Sequence, residues 1–146
     1  MTITSPAFEN AQAIPSQFTC DGDDAHPLLN IRDVPESAQS LALIMDDPDS
    51  PTGTWVHWTM WNIDPTATQI AEGEVPEGAV EGQTTFDKTG YGGPCPGSGT
   101  HRYFFKLYAL DVKLRLSSEA DKAALAAALE GHVVAYADLM GTYMRA

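Results

Sequence analysis

The sequence predicts a mainly β domain whose middle strands are covered on both faces, as in a sandwich, followed by two C-terminal helices. Three observations lead there. The 12 glycines and 10 prolines fall mostly between Pro15 and Gly99 and cut that stretch into segments too short for long helices. Between the breaks lie three aromatic and aliphatic runs, Leu41 to Met45, Trp55 to Ile63 and Tyr103 to Leu110. After Leu116 the composition turns to alanine and leucine. The 146 residues amount to one domain, residues 1–146, and 43% apolar content is enough for a core.

The runs at Leu41 and Trp55 are apolar at successive positions, so they belong in the middle of a covered sheet. Weaker segments near Ile3 to Phe8, Gln17 to Thr19 and Thr84 to Phe86 suit edge strands. Ser117 or Ser118 is placed to cap a first helix, with Glu119 and Asp121 at its positive end and Gly131 as its stop. A second helix, about His132 to Met144, would put Val133, Ala137 and Met140 on one stripe.

Eight Lys plus Arg against twenty Asp plus Glu leave a net charge of −12. Such a surface repels nucleic-acid backbones and anionic membranes. No run approaches the length of a spanning helix, and Met1 to Phe8 carries neither a basic nor an apolar leader, so a cytoplasmic location is expected. Cys20 and Cys95 are the only cysteines. In that compartment reduced thiols are the default, with a single bridge as the alternative.

Three segments concentrate polar chemistry: Asp46-Asp47-Pro48-Asp49-Ser50-Pro51 at a strand end, His57 within the next strand, and the glycine- and proline-rich Gly90 to Tyr103. The two prolines stiffen the first loop, and Ser50-Pro51 is a candidate cis bond. The loop reads either as a rigid turn whose aspartates cap local amides or as a holder of carboxylates. His57 reads alone as a core histidine. With His101 and a strand-end aspartate it reads as a small anion pocket, since a carboxylate beside an imidazole fixes its tautomer and a glycine loop bares amides.

DPDSP at Asp47 to Pro51, WVHW at Trp55 to Trp58 followed by Asn62-Ile63, and GTHRY at Gly99 to Tyr103 together resemble the phosphatidylethanolamine-binding protein family. FTCDG at Phe18 to Gly22 and GGPCP at Gly92 to Pro96 are similar to its bacterial and archaeal Raf kinase inhibitor-like, or YbhB/YbcL-like, branch. The resemblance runs from about Phe8 to Tyr143. It implies a β-sandwich with a large central antiparallel sheet, a smaller second sheet and a few helices, and a pocket for phosphate-type anions at one end. Carried over, the ligand-binding positions are Asp47, Asp49, Pro51, His57, Gly92, Gly93, His101 and Tyr103. Pro94 and Pro96 join the glycines as a wall.

In chemical terms, His57 and His101 donate to the anion and Asp47 orients or charges an imidazole. Asp49 holds its loop or pairs with Arg102. Tyr103 is either a pocket hydroxyl or a core aromatic with one polar tip. His26 departs from the family, which carries Ser-Pro and a Trp near this point, so the role of that Trp is open.

The resulting expectation is a non-enzymatic binding protein for phosphate or a phospholipid head group, without cofactor or metal. The alternative is a protease or kinase inhibitor acting through a surface loop. Two further readings use the same residues: a Cys95 thiolate paired with a histidine, or zinc held by His57, His101, Asp47 and Cys95. Apolar content and the resemblance raise a homodimer as an expectation.

Overall fold

The computed structural model describes residues 1–146. A five-stranded antiparallel sheet is built from β3 (Ser40–Asp47), β4 (Trp55–Ile63), β6 (Val80–Glu81), β7 (His101–Leu110) and β8 (Val133–Tyr143), in the order β6-β4-β3-β7-β8. A smaller sheet, β1-β2-β5, is made from Thr2–Thr4, Leu29–Arg32 and Gln69–Ile70. A single helix, α1 (Lys122–Leu129), lies on the far side of the large sheet.

β3 is buried at every position because it is central and covered twice. Toward the small sheet, Leu41, Leu43, Met45, Trp58, Met60 and Phe105 meet Ile3, Leu29, Ile31 and Ile70. On the opposite face Ala42, Ile44, Trp61 and Leu110 pack under Leu125 and Leu129 of α1 and under Leu114. The covered-sheet reading of the two apolar runs therefore holds, and each face of the large sheet has its own core.

The tail differs from the sequence expectation of two helices. Residues 133–143 form the longest strand of the protein, not a helix, and pair along the length of β7 from Leu110↔Val133 to His101↔Tyr143. The apolar stripe that suggested a helix is split: Ala137 packs against the inter-sheet core while Met140 lies opposite Phe104 on the other face. The β-branched and aromatic content of Val133, Val134, Tyr136, Thr142 and Tyr143 wins once β7 offers a full ladder. Residues 11–14 add to the outer edge of β8, with Ala11 N–H donating to Met140 O at 2.7 Å and Ile14 N–H to Thr142 O at 2.7 Å. A Cβ at Gly141 would run into Ile14 and Phe8, so glycine permits this crossing.

Other expectations are corrected locally. The cap of α1 is Asp121, whose carboxylate accepts from Ala124 N–H at 2.9 Å, and not Ser117 or Ser118. Ser16–Phe18 is a short 3-10 turn rather than an edge strand. Thr84 to Phe86 form a tight turn closed by Thr84 N–H to Lys88 O, and only Thr85 reaches β4, donating its N–H to Val56 O and accepting from Val56 N–H through its hydroxyl. Every peptide bond is trans, including Ser50-Pro51. The thiols are not free: Cys20 and Cys95 form a disulfide across 75 residues, and beside it Cys20 N–H donates to Pro94 O. No helix is long and apolar enough to cross a membrane.

Candidate anion-binding site

At one end of the sandwich, where β3 finishes and β4 and β7 begin, a cleft of about 270 Å³ opens between the loops. Asp47, Pro51, His57, His101 and Tyr103 line it, as the sequence reading expected. Ser50, Thr52, Trp55, Phe86, Cys95, Pro96 and Gly97 complete it.

His57 reaches this cleft through an irregularity in β4. Met45 pairs with Trp58 and Asp46 with Val56, so His57 is an extra residue without a partner on β3. Such a bulge lets two successive side chains face the same way. Trp58 stays in the inter-sheet core, and the His57 ring turns to meet Tyr103 and Phe86 edge-on, each at 5.2 Å between centroids. Nδ1 of His57 lies 2.7 Å from the carbonyl oxygen of Gly92, and Gly92 N–H donates back to His57 O at 2.9 Å. Burial pushes the imidazole below its ordinary range, against the pull of the Gly92 carbonyl and of the Asp47 carboxylate. The ring is therefore held neutral as well as still.

His101 opens β7 directly opposite. Its Nδ1 lies 2.7 Å from Asp47 Oδ2, and the other Asp47 oxygen accepts from Asp49 N–H at 2.7 Å. Both oxygens of this buried carboxylate are thus occupied, one by the turn it caps and one by the imidazole it orients. The Tyr103 ring lies nearly parallel to His101, and burial raises its hydroxyl well above the usual phenol range. Both readings of Tyr103 meet here: its ring belongs to the core and its residue lines the cleft.

Three expected positions take a supporting place instead. Asp49 faces away from the cleft and grips Arg102 through Nε and a terminal nitrogen, both at 2.9 Å, which holds its carboxyl down to about 2. Gly92 and Gly93 stand behind the histidine rather than on the cleft wall. A Cβ on Gly92 would strike the Phe86 ring, and one on Gly93 would strike Asp24 and the Phe18 carbonyl. Gly93 N–H donates to Asp24 Oδ1 at 2.7 Å, with Asp24 held at positive φ.

The wall itself is fastened by the disulfide, by Cys20 N–H to Pro94 O and by Tyr91 hydroxyl to Phe18 O at 2.7 Å. With its sulfur in the bridge, Cys95 is neither a thiolate nucleophile nor a zinc ligand. His26 stacks on Trp58 at 4.4 Å and meets the Tyr91 ring edge-on at 5.9 Å. Phe86 carried no signal in the sequence, because it reaches the site from a turn. Trp55 did carry one: it lies two residues before His57 at the mouth of the same strand.

A family model described as phosphatidylethanolamine-binding protein matches residues 4–144. A UPF0098 protein of Methanothermobacter thermautotrophicus is 47% identical, over 99% of each chain. One from Chlamydia muridarum is 43% identical over 98% of each chain. The crystal structure of a phosphatidylethanolamine-binding protein homologue from Chlamydia trachomatis superposes with a TM-score of 0.96 at 41% identity, over 99% of this chain and 97% of that one. Escherichia coli YbcL gives 0.93 at 30% identity, over 99% and 98%. The two-sheet architecture, the end cleft and this full-length similarity agree, and the chain belongs to the phosphatidylethanolamine-binding protein family.

Proposed function

We propose that the protein binds a small phosphate-type anion, free or carried by a phospholipid head group, in the cleft formed by Asp47, His57, His101 and Tyr103, and that it does so without catalysing a reaction. The observation that carries this reading is the pair of buried imidazoles lining one cleft, each anchored through Nδ1 and each packed against Tyr103. Anchored rings meet a ligand at little cost in ordering, which favours short-range recognition in a protein whose net charge of −12 gives an anion no long-range attraction. The family's name lends the ligand class.

Two features favour binding over chemistry. Cys95 is bridged. The Ser50 hydroxyl lies 3.4 Å from Thr52 Oγ1 and has no imidazole within hydrogen-bond range to activate it.

The test is an NMR titration with phosphate and phosphoethanolamine at about pH 6.5, the ordinary midpoint of an imidazole. Saturable shifts of both the His57 and His101 rings, lost in His57→Ala, are expected. Silence at millimolar ligand would overturn the reading and leave inhibition of a protease or kinase through a surface loop as the better account.

A further inference from the structure

The hydrogen-bond chemistry of the histidines restricts the ligand more closely than a cleft for anions would. A carbonyl oxygen only accepts. The 2.7 Å contact between His57 Nδ1 and Gly92 O therefore requires the ring proton on Nδ1. The other nitrogen of the neutral ring, Nε2, is then a bare lone pair, and it makes no hydrogen bond within the protein. His101 is likewise anchored through Nδ1, by Asp47 Oδ2. At His57 an acceptor thus confronts the ligand where an anion site would ordinarily present a donor.

The carboxylates around His57 do not supply the missing proton. From β3 it faces Asp47, from β7 the Tyr103 ring, and from the loop below the wall Asp24. The carboxylates would welcome a charged ring, yet burial outweighs them and keeps it neutral. The aromatic edge of Phe86 closes another side.

We propose, resting on the anion-binding reading above, that the cleft takes its anion together with one proton, shared between a ligand oxygen and His57 Nε2, and that it therefore selects phosphomonoesters over phosphodiesters. A monoester with a second ionisation at about pH 6 brings that proton as its monoanion. A diester has none to bring and must draw it onto a buried ring. No bond other than this hydrogen bond forms, and the proton comes from the ligand below about pH 6 and from solvent above it.

Calorimetry of the wild-type protein with methyl phosphate tests this, in pairs of buffers that differ in ionisation enthalpy, together with dimethyl phosphate as the diester. At about pH 7.5 the complex should take up about one proton from buffer, and at about pH 5.5 much less. Affinity for methyl phosphate should fall roughly 25-fold between those two values, following the monoanion population. Dimethyl phosphate should bind at least about tenfold more weakly than methyl phosphate at the lower pH.

His57→Gln, whose amide carries a permanent N–H, should bind without proton uptake. Methyl phosphate binding with a flat pH profile, equal affinity for the diester, or full uptake in His57→Gln would each overturn the inference while leaving anion binding intact. Absence of methyl phosphate binding at every pH would instead remove the anion-binding reading, and this inference with it.

Discussion

Two side chains at the cleft end of the sheet carry pH signatures of the same sign for stability, both lost on acidification. Asp49 is held down to about 2 by the Arg102 guanidinium, against an ordinary value of 3.8. The unfolded chain binds that proton first, so the stabilisation from this pair is present above about pH 4 and is lost as pH falls toward about 2. Asp49→Asn should flatten this acid limb in thermal melts recorded across that window. His57 is kept neutral by burial, and again the unfolded chain takes the proton more readily. Its contribution is complete above about pH 6.5 and declines as the solution becomes more acid. In melts from about pH 7 to 5, His57→Gln should remove that decline, and saturating phosphate should offset it in the wild type.

At this scale the sequence was highly legible where chemistry and spacing coincide. Asp47, His57, His101 and Tyr103 were found from three short motifs and do line one cleft. Gly92 and Gly93 were identified but misplaced, because a glycine's role depends on what its missing Cβ would hit, here Phe86 and Asp24.

Among the elements, the bulge in β4 matters most for the site and was invisible beforehand. WVHW shows no alternation from which a registry shift is readable, and the extra residue emerges only when β3 is laid beside it. β8 was misread for a related reason: Ala135, Ala137 and Leu139 are good helix formers, and the ladder with β7 overrides that preference. Glycine at 141 is where this strand is most exposed to test. Gly141→Ala would force Phe8 and Ile14 away from β8, at a cost of about 1–3 kcal/mol. Hydrogen exchange should then show the Ile14 and Thr142 amides losing protection before those of β3. Unchanged protection would mean that the N-terminal crossing is held by other contacts.

For the whole molecule, the disulfide is the largest departure from the sequence reading. Counting two cysteines in a chain long enough to fold without staples pointed to thiols, and only the meeting of the Thr19 and Pro94 loops reveals the pair. Closing a loop across 75 residues stabilises by about 4 kcal/mol on chain-entropy grounds. Reduction, or Cys20→Ser with Cys95→Ser, should lower Tm by about 10 °C in calorimetry. Because Cys95 lines the cleft, anion affinity should fall along with Tm. A large fall in Tm with unchanged affinity would show that hydrogen bonds alone, from Gly93 to Asp24 and from Tyr91 to Phe18, position the wall.

The docking of residues 11–14 on β8 also sets a timetable for biosynthesis. Ala11 and Met140 are 129 residues apart, yet each supplies half of one hydrogen bond. At roughly 5–20 residues per second, a ribosome needs about 6–26 seconds between making the first and the second. Throughout that interval Phe8 and Ile14 have no strand to cover, and the large sheet lacks its edge. The nascent chain therefore passes through a period in which its apolar beginning is open to chaperones or to neighbouring chains, and the fold closes only when β8 emerges.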